Sequence, residues 1–578
     1  MNTVVDKFFS NVERLGEKPC FRYKENGEWK ALSWEEAGEK VLSCAGALQK
    51  LGVVSGDRVG IISYTRYEWT VADLAILSIG AVAVPIYHSV NASEVEYIVR
   101  DAGISVIFVE KPALLEKIKR LQIKQAILFE GEPENAVSFK QFLSSADLKT
   151  CRPEDLLTDN QTATIIYTSG TTGVPKGVVL THRNIAAQSE SLIPVFDLGV
   201  NDTMLSFLPL AHVLARSVQY FQLSKGFVSA YAESIDALQK NFRETSPTLV
   251  IVVPRIIEKI YERIQSEVER VPLIKRKIFG WAVKVGFRRS RMLRRGEKPS
   301  VILKLKYSLA HLLVFAKLHE SLGGNLKFIV SGGAPLAPEL AKFFHAVGLL
   351  VLEGYGLTET VAAILVNRPD DYRLGTVGKP LPGVDIRLSE DGEVEAKGEM
   401  IFGSYYKLEQ DTRAAFTVDG WFKTGDIGEF TKDGFLRITG RIKDLIITAG
   451  GKNISPQKIE QMISESGYVS NVSVYGDKRK YLTALITLNF ENVRRYADEK
   501  GVEYSSDAEL SKKAEVIDLI ASVVEEKNKL LASYETIKKF AILEHDFTIN
   551  SGELTPSLKV KRAVVAKKFE HLLDSLYA

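Results

Sequence analysis

The segment Tyr167-Thr-Ser-Gly-Thr-Thr-Gly-Val-Pro-Lys-Gly177 concentrates three glycines, four aliphatic hydroxyls and one lysine in eleven positions. It lies between two apolar runs, 164–167 and 178–180, that read as strands. Glycines let the backbone turn closely and expose its N–H groups. Hydroxyls and an ammonium add donors for phosphate oxygens. The motif differs from the usual P-loop of nucleoside triphosphatases, because Pro175 and Gly177 flank the lysine where that motif requires Gly and Ser or Thr. A polar hairpin turn is the plain alternative, but a turn rarely needs so many hydroxyls, so a phosphate site is the better reading.

Two further glycine turns follow apolar strands, Ser331-Gly-Gly-Ala-Pro335 and Gly354-Tyr-Gly-Leu-Thr-Glu-Thr360. The carboxyl ends of strands are where α/β sheets bind ligands. Tyr355 can offer a ring face to a base, Thr358 a hydroxyl, and Glu359 a hard oxygen ligand suited to Mg²⁺. Either turn alone reads equally as strand-to-helix packing; agreement with the first loop favours a site. Trp421-Phe-Lys-Thr-Gly-Asp426 presents one carboxylate that could take the hydroxyls of a ribose, although Asp426 alone reads first as a turn or cap residue. His212, in Leu208-Pro-Leu-Ala-His-Val-Leu-Ala-Arg216, reads as a structural histidine on its own. The tail Gly552-Glu-Leu-Thr-Pro-Ser-Leu-Lys-Val-Lys-Arg562 gives only a weak case for a catalytic lysine, since basic residues on a polar tail are normally solvated.

Around these segments the chain alternates helical and strand patterns: helix over 34–51, strand over 58–63, helix over 69–79 and strand over 81–87. This predicts a layered α/β domain with a largely parallel sheet. A helical insertion at about 265–320 interrupts it. Residues 271–306 carry about a dozen Lys and Arg against one acid, Glu297, with Ile278, Phe279, Trp281, Val285, Phe287, Met292 and Leu293 interleaved. Such a stretch can lie on an anionic membrane. It reads equally as a solvated insertion that packs one face on the body, and both can hold at once. From 441 the pattern becomes α+β, so 1–440 and 441–578 are expected to be two domains joined by a short hinge at 440–444.

With 578 residues, 45% hydrophobic and 25% charged, the chain has the composition of a multidomain globular protein. A net charge of +3 does not indicate a nucleic-acid binder. Three scattered cysteines, Cys20, Cys44 and Cys151, make neither a disulfide framework nor a zinc site. Eight histidines with no i, i+4 pair give no helical metal clamp. The apolar run 74–86 is interrupted by Ser78, Gly80 and Pro85 and falls short of the roughly 20 residues a bilayer span needs. The start of the chain lacks the pattern of a signal peptide. A cytoplasmic setting is expected, with peripheral contact on the inner face of the membrane through 271–306.

Taken together these segments resemble the adenylate-forming superfamily of acyl-CoA synthetases, luciferases and peptide-synthetase adenylation domains. YTSGTTGVPKG, GYGLTET, WFKTGD and GRIKDLI form a specific set over nearly the whole chain. LPLAHVLAR, VVPRIIEKIYERI with the helical insertion, AGGKNISP and LTPSLKVKR point to its long-chain fatty acyl-CoA synthetase branch. The resemblance implies a large N-terminal domain of layered α/β sheets with a small β-barrel-like part, and a small mobile α+β lid. It implies a ligase that consumes ATP, coenzyme A and a long-chain fatty acid with Mg²⁺, and it admits a homodimer.

The resemblance also assigns roles. Thr168, Ser169, Gly170, Thr171, Thr172, Gly173 and Lys176 would hold the ATP phosphates, with Lys176 on the leaving pyrophosphate. Thr168 and Glu359 would bind Mg²⁺. Gly333, Ala334, Gly354, Tyr355 and Gly356 would frame the adenine, Thr358 the α-phosphate, Asp426 the ribose, and Arg441 the nucleotide. Lys443 would lie at the hinge, and Gly450 and Gly451 on the face that serves coenzyme A. His212 would line the passage between carboxylate and acyl pocket, and the segments 223–231 and 357–365 would wall that pocket. Lys559 would complete the adenylation site. Ser557-Leu558 stand before it where many members have Ser-Gly, which leaves Lys561 as the alternative; spacing from Thr555 favours Lys559. Rival readings are a ligase that loads a carrier protein, a light-emitting oxygenase, and a silent acyl- or nucleotide-binding sensor.

Overall fold

The computed structural model describes residues 3–131, 136–146, 157–168, 174–548, 551–555 and 560–578. Met1–Arg387, Glu395–Thr424 and Phe430–Arg437 form one compact unit. Leu388–Val394, Gly425–Glu429 and Ile438–Ala578 form a second.

The first unit is built on two large sheets. One has eight strands in the order Ser404–Tyr405, Lys176–Thr181, Thr162–Thr168, Val82–Ile86, Arg58–Ile62, Val106–Val109, Gln125–Leu128, Val137–Ser138. Its centre is parallel, as the alternating pattern predicts. The strands that flank 169–175 instead form an antiparallel pair, with Thr168 opposite Lys176. The other sheet has nine strands in the order Lys379–Pro380, Ala362–Val366, Val351–Leu357, Phe328–Ser331, Leu249–Val252, Thr203–Ser206, Val228–Tyr231, Pro19–Glu25, Glu28–Ser33. A four-stranded sheet of Val384–Leu388, Glu393–Gly398, Phe422–Phe430 and Leu436–Arg441, whose residues are divided between the first and second units, supplies the small barrel-like part.

A layer of helices separates the two large sheets. Helix Tyr67–Ser78 packs on the eight-stranded sheet, and helix Val213–Lys225 packs on strands of the nine-stranded one. Helix Tyr67–Ser78 is buried from Trp69 to Ser78 without interruption. A helix that is apolar all round belongs inside a protein, and the apolar run 74–86 is accordingly this helix, a turn and strand Val82–Ile86.

One ion pair crosses that layer. Arg216, on helix Val213–Lys225, donates from Nε to Asp73 Oδ2 at 3.1 Å and from Nη1 to Thr164 Oγ1 at 2.6 Å. A further Nη2 contact reaches Asp73 Oδ1, and the Tyr220 hydroxyl donates to Asp73 Oδ2 at 2.8 Å. Both charged side chains are only 2% exposed. Thr164 in turn donates to the Ala83 carbonyl. The pair therefore ties two central helices to strand Thr162–Thr168, whose far end leads into the glycine- and hydroxyl-rich segment 168–177.

The insertion comprises helices Pro254–Arg270 and Leu273–Arg294, then Val301–Ala310, which runs through a π turn at His311–Phe315 into Ala316–Ser321. Phe279, Trp281, Val285, Phe287 and Met292 pack into the core beneath, whereas Leu273, Ile274 and Leu293 of the same helix stay exposed. The second unit holds a three-stranded sheet of Val469–Tyr475, Leu482–Leu488 and Ile537–Ile542. Helices Pro456–Ser464 and Ala514–Asn528 cover it, and Ile459, Ile463, Val516 and Ile520 lie in its core.

Candidate active site

Strands Thr162–Thr168 and Lys176–Thr181 place Thr168 and Lys176 opposite each other at the ends of an antiparallel pair. Ser169, Gly170, Thr171, Thr172 and Gly173 lie outside the described residues, and so does Lys559. Gly177 is required by crowding: a methyl group there would lie 2.8 Å from Ile165 Cγ2. Strand Lys176–Thr181 packs against the 3₁₀ turn Thr358–Thr360, which brings Glu359 beside that pair.

Tyr405, absent from the sequence reading, joins these groups. Strand Ser404–Tyr405 pairs with strand Lys176–Thr181, setting Tyr405 opposite Val178. Its hydroxyl donates to Glu359 Oε1 at 2.8 Å, and the Lys176 ammonium sits 5.5 Å from its ring centre, within cation–π range. Burial, and then the Glu359 carboxylate, push the phenol pKa up, so the hydroxyl keeps its proton and donates. Lys176 also forms an ion pair with Asp411, on helix Glu409–Ala415. Tyr405 and Asp411 carry no motif of their own, so no sequence signal marks them.

The glycine turns meet next to this group. A methyl on Gly332 would lie 3.3 Å from Leu214 Cδ2 and 3.6 Å from the Gly354 carbonyl oxygen, so Ser331-Gly-Gly-Ala-Pro335 abuts both strand Val351–Leu357 and the first turn of helix Val213–Lys225. Gly333 adopts φ +82°, the left-handed region that favours glycine, and Ala334 is exposed. A methyl on Gly356 would fall 1.6 Å from the Ala362 carbonyl oxygen, which only glycine tolerates. Just after the motif, Val361 and Ala362 both take positive φ, +49° and +72°. Left-handed β-branched residues are costly and cluster at functional turns. Tyr355 and Thr358 are half-buried.

His212 caps helix Val213–Lys225, its Nδ1 accepting from the Leu214 N–H at 3.1 Å, with the Tyr87 ring edge-on at 6.4 Å. The cap fixes the imidazole beside the turn that carries Gly332. Segment 223–231 is largely buried, and helix Val213–Lys225 packs on strand Ala362–Val366.

Glu353, immediately before Gly354, is a second residue the sequence reading passed over. Its carboxyl accepts from the backbone N–H of Gly375 at 3.2 Å and from that of Leu336. It thereby ties both glycine turns to the loop at 375. Burial pushes its pKa up to about 7, against the opposing pull of those two N–H donors. The folded state holds a proton here that the unfolded chain releases near the ordinary value of 4.5, so stability falls as pH rises from about 4.5 to about 7. The span corresponds to roughly 3 kcal/mol. Glu353→Gln should remove this slope. The variant should gain several degrees of melting temperature relative to the unaltered chain between pH 5 and 8, and parallel pH curves for the two would refute the assignment.

In the second unit Arg441 and Asp426 form a fork, Nε to Oδ1 at 2.7 Å and Nη2 to Oδ2 at 3.3 Å. Asp426 is buried on strand Phe422–Phe430 and Arg441 ends strand Leu436–Arg441. Lys443 is exposed on the 3₁₀ turn Ile442–Asp444. Gly450 and Gly451 form the exposed tip between strands Ile446–Ile447 and Asn453–Ile454, with Gly451 at φ +72°.

Among the described residues no cluster of three or more His, Cys, Asp or Glu could hold a metal alone. A hydroxyl at Thr168 and a carboxylate at Glu359 are hard oxygen donors. Two such donors suit Mg²⁺, which keeps waters and takes phosphate oxygens for the rest of its shell.

The AMP-binding enzyme family matches residues 8–406, and the AMP-binding enzyme C-terminal domain matches 443–578. A long-chain-fatty-acid–CoA ligase of Mycobacterium bovis is 37% identical over 568 residues, covering 96% of this chain and 93% of that protein. A ligase of the same description from Xenopus laevis is 32% identical over 623 residues, covering 100% of this chain and 84% of that protein. The adenylation domain of a carboxylate reductase from Mycobacterium chelonae shares the fold, with a TM-score of 0.80 at 22% identity over 100% of this chain and 91% of that one. With both family regions present in order and these relatives matched nearly end to end, the chain belongs to the AMP-binding enzymes, the adenylate-forming superfamily, in its long-chain fatty acyl-CoA synthetase branch.

Proposed function

We propose that this chain is an AMP-forming long-chain fatty acid–CoA ligase. One observation carries the reading: proteins described as such ligases match the chain over nearly its whole length, so both family regions are shared. In the first half-reaction a fatty carboxylate oxygen attacks the α-phosphorus of ATP, the bond to the β-phosphate oxygen breaks, and pyrophosphate leaves. In the second, the coenzyme A thiol attacks the acyl carbon, loses its proton, and AMP leaves.

Negative charge builds on phosphate oxygens in the first step, so the site needs donors set in advance. The N–H groups and hydroxyls of 168–177 and the Lys176 ammonium serve the phosphates. Tyr405 and Asp411 hold Lys176 and Glu359 in register for this. Mg²⁺, when bound by Thr168 and Glu359, would neutralise phosphate oxygens. Gly333, Ala334, Gly354, Tyr355 and Gly356 frame the adenine, Thr358 meets the α-phosphate, and Asp426 takes the ribose, steadied by Arg441. His212 positions the fatty carboxylate, and Lys559 completes the adenylation site.

Residues 1–440 are the ATP- and fatty-acid-binding part, and 441–578 are a lid hinged near Lys443 that brings Gly450 and Gly451 to the coenzyme A step. Cys20 and Cys44 are buried thiols, which fits a cytoplasmic setting.

The acceptor is tested by supplying acyl-AMP with either coenzyme A or a pantetheinylated carrier protein. Thioester should form on coenzyme A at a far higher rate. Preference for the carrier would make the protein a loading ligase instead.

A further inference from the structure

We propose that the outer face of the helix through 301–321 docks on the surface of an anionic lipid bilayer. Leu303, Ala310 and Phe315 point inward, 6%, 0% and 0% exposed. Opposite them Val301, Ile302, Leu305, Leu309, Leu312 and Leu313 lie between 48% and 72% exposed. The spacing 301/302, 305, 309, 312/313 is that of one helix face, and the π turn at His311–Phe315 carries it on without a break. Single exposed apolar residues need no explanation, but a ladder of six along one helix marks an interaction surface.

The charge around the ladder selects the partner. Lys298, Lys304, Lys306 and Lys317 are exposed along the same helix and its approach, and no acid occurs between Glu297 and Glu320. The preceding helix, Leu273–Arg294, turns its aromatic residues into the core and leaves Lys284, Arg288, Arg291 and Arg294 exposed. An apolar stripe in a basic field matches the boundary between acyl chains and anionic headgroups. The contact is interfacial, since no helix among the described residues is long and apolar enough to cross a membrane. The surface recruits the chain whatever reaction it runs, so its test needs no activity measurement.

The full chain would be sedimented with vesicles of phosphatidylcholine alone or mixed with phosphatidylglycerol. It should bind the mixed vesicles, release them at high salt, and bind the neutral ones weakly. Ile302→Glu with Leu305→Glu and Leu312→Glu replaces only exposed side chains, so the melting temperature should hold while binding falls at least about tenfold. Lys304→Glu with Lys306→Glu should weaken binding to the mixed vesicles selectively. Failure of the full chain to bind, unchanged binding by the triple variant, or equal binding to both vesicle types would overturn the proposal. A dimer in solution that the triple variant dissociates, without vesicle binding, would assign the face to a second copy instead.

Discussion

Lys559→Ala should lower pyrophosphate release from ATP and a fatty acid by roughly 10²–10³-fold, the loss expected when one preset cation at a charge-developing centre is removed. Thioester formation from supplied acyl-AMP should stay near the unaltered rate. The separation follows from the chemistry: only the first half-reaction passes through attack at the α-phosphorus with a departing pyrophosphate, whereas in the second the reacting centre is the acyl carbon and AMP is the leaving group. Lys561→Ala is the paired control. The Lys561 backbone N–H donates to the Glu553 carbonyl at 2.7 Å and sits at the head of helix Arg562–Lys568, which fits a structural place for that residue. A loss in Lys561→Ala but not in Lys559→Ala would move the role to Lys561. An equal fall in both half-reactions would contradict the division of labour.

Arg216→Met should destabilise the first unit by about 3–5 kcal/mol, because it leaves Asp73 charged, buried and stripped of its main partner. The melting transition reads this directly. Arg216→Met combined with Asp73→Leu should recover part of the loss, since an apolar pair needs no compensation, while the Tyr220 hydroxyl still loses its acceptor. Adenylation should fall in the single variant as well, because Arg216 holds Thr164 in the strand that opens the phosphate loop. A single variant within about 1 kcal/mol of the unaltered chain would show that solvent reaches the pair after all.

The two strands flanking 169–175 were legible because apolar runs bracket a stretch of glycines and hydroxyls, a purely local pattern; their antiparallel pairing is seen in the structure. The helix and strand within 67–86 were legible for the same reason. What escaped is contact across sequence distance. Lys176 meets Asp411 from 235 residues away, and Tyr405 reaches Glu359 across 46. Neither Asp411 nor Tyr405 sits in a recognisable motif, and Glu353 is an acid that a strand pattern leaves unremarked. In the insertion, composition pointed to 271–306 as a whole. Packing then divided it, sending Phe279 and Trp281 inward and leaving the outward apolar ladder to Val301 and the residues after it. Charge content is read from composition, whereas the exposed face depends on the direction of each helix.

The central claim is a two-step ligation through an acyl-adenylate with coenzyme A as acceptor. AMP and pyrophosphate should be followed separately with ATP, Mg²⁺ and fatty acids of graded length, with and without coenzyme A. Sustained AMP release should require both a long-chain acid and coenzyme A. Pyrophosphate release that coenzyme A leaves unchanged, or no turnover with any acid, would contradict it.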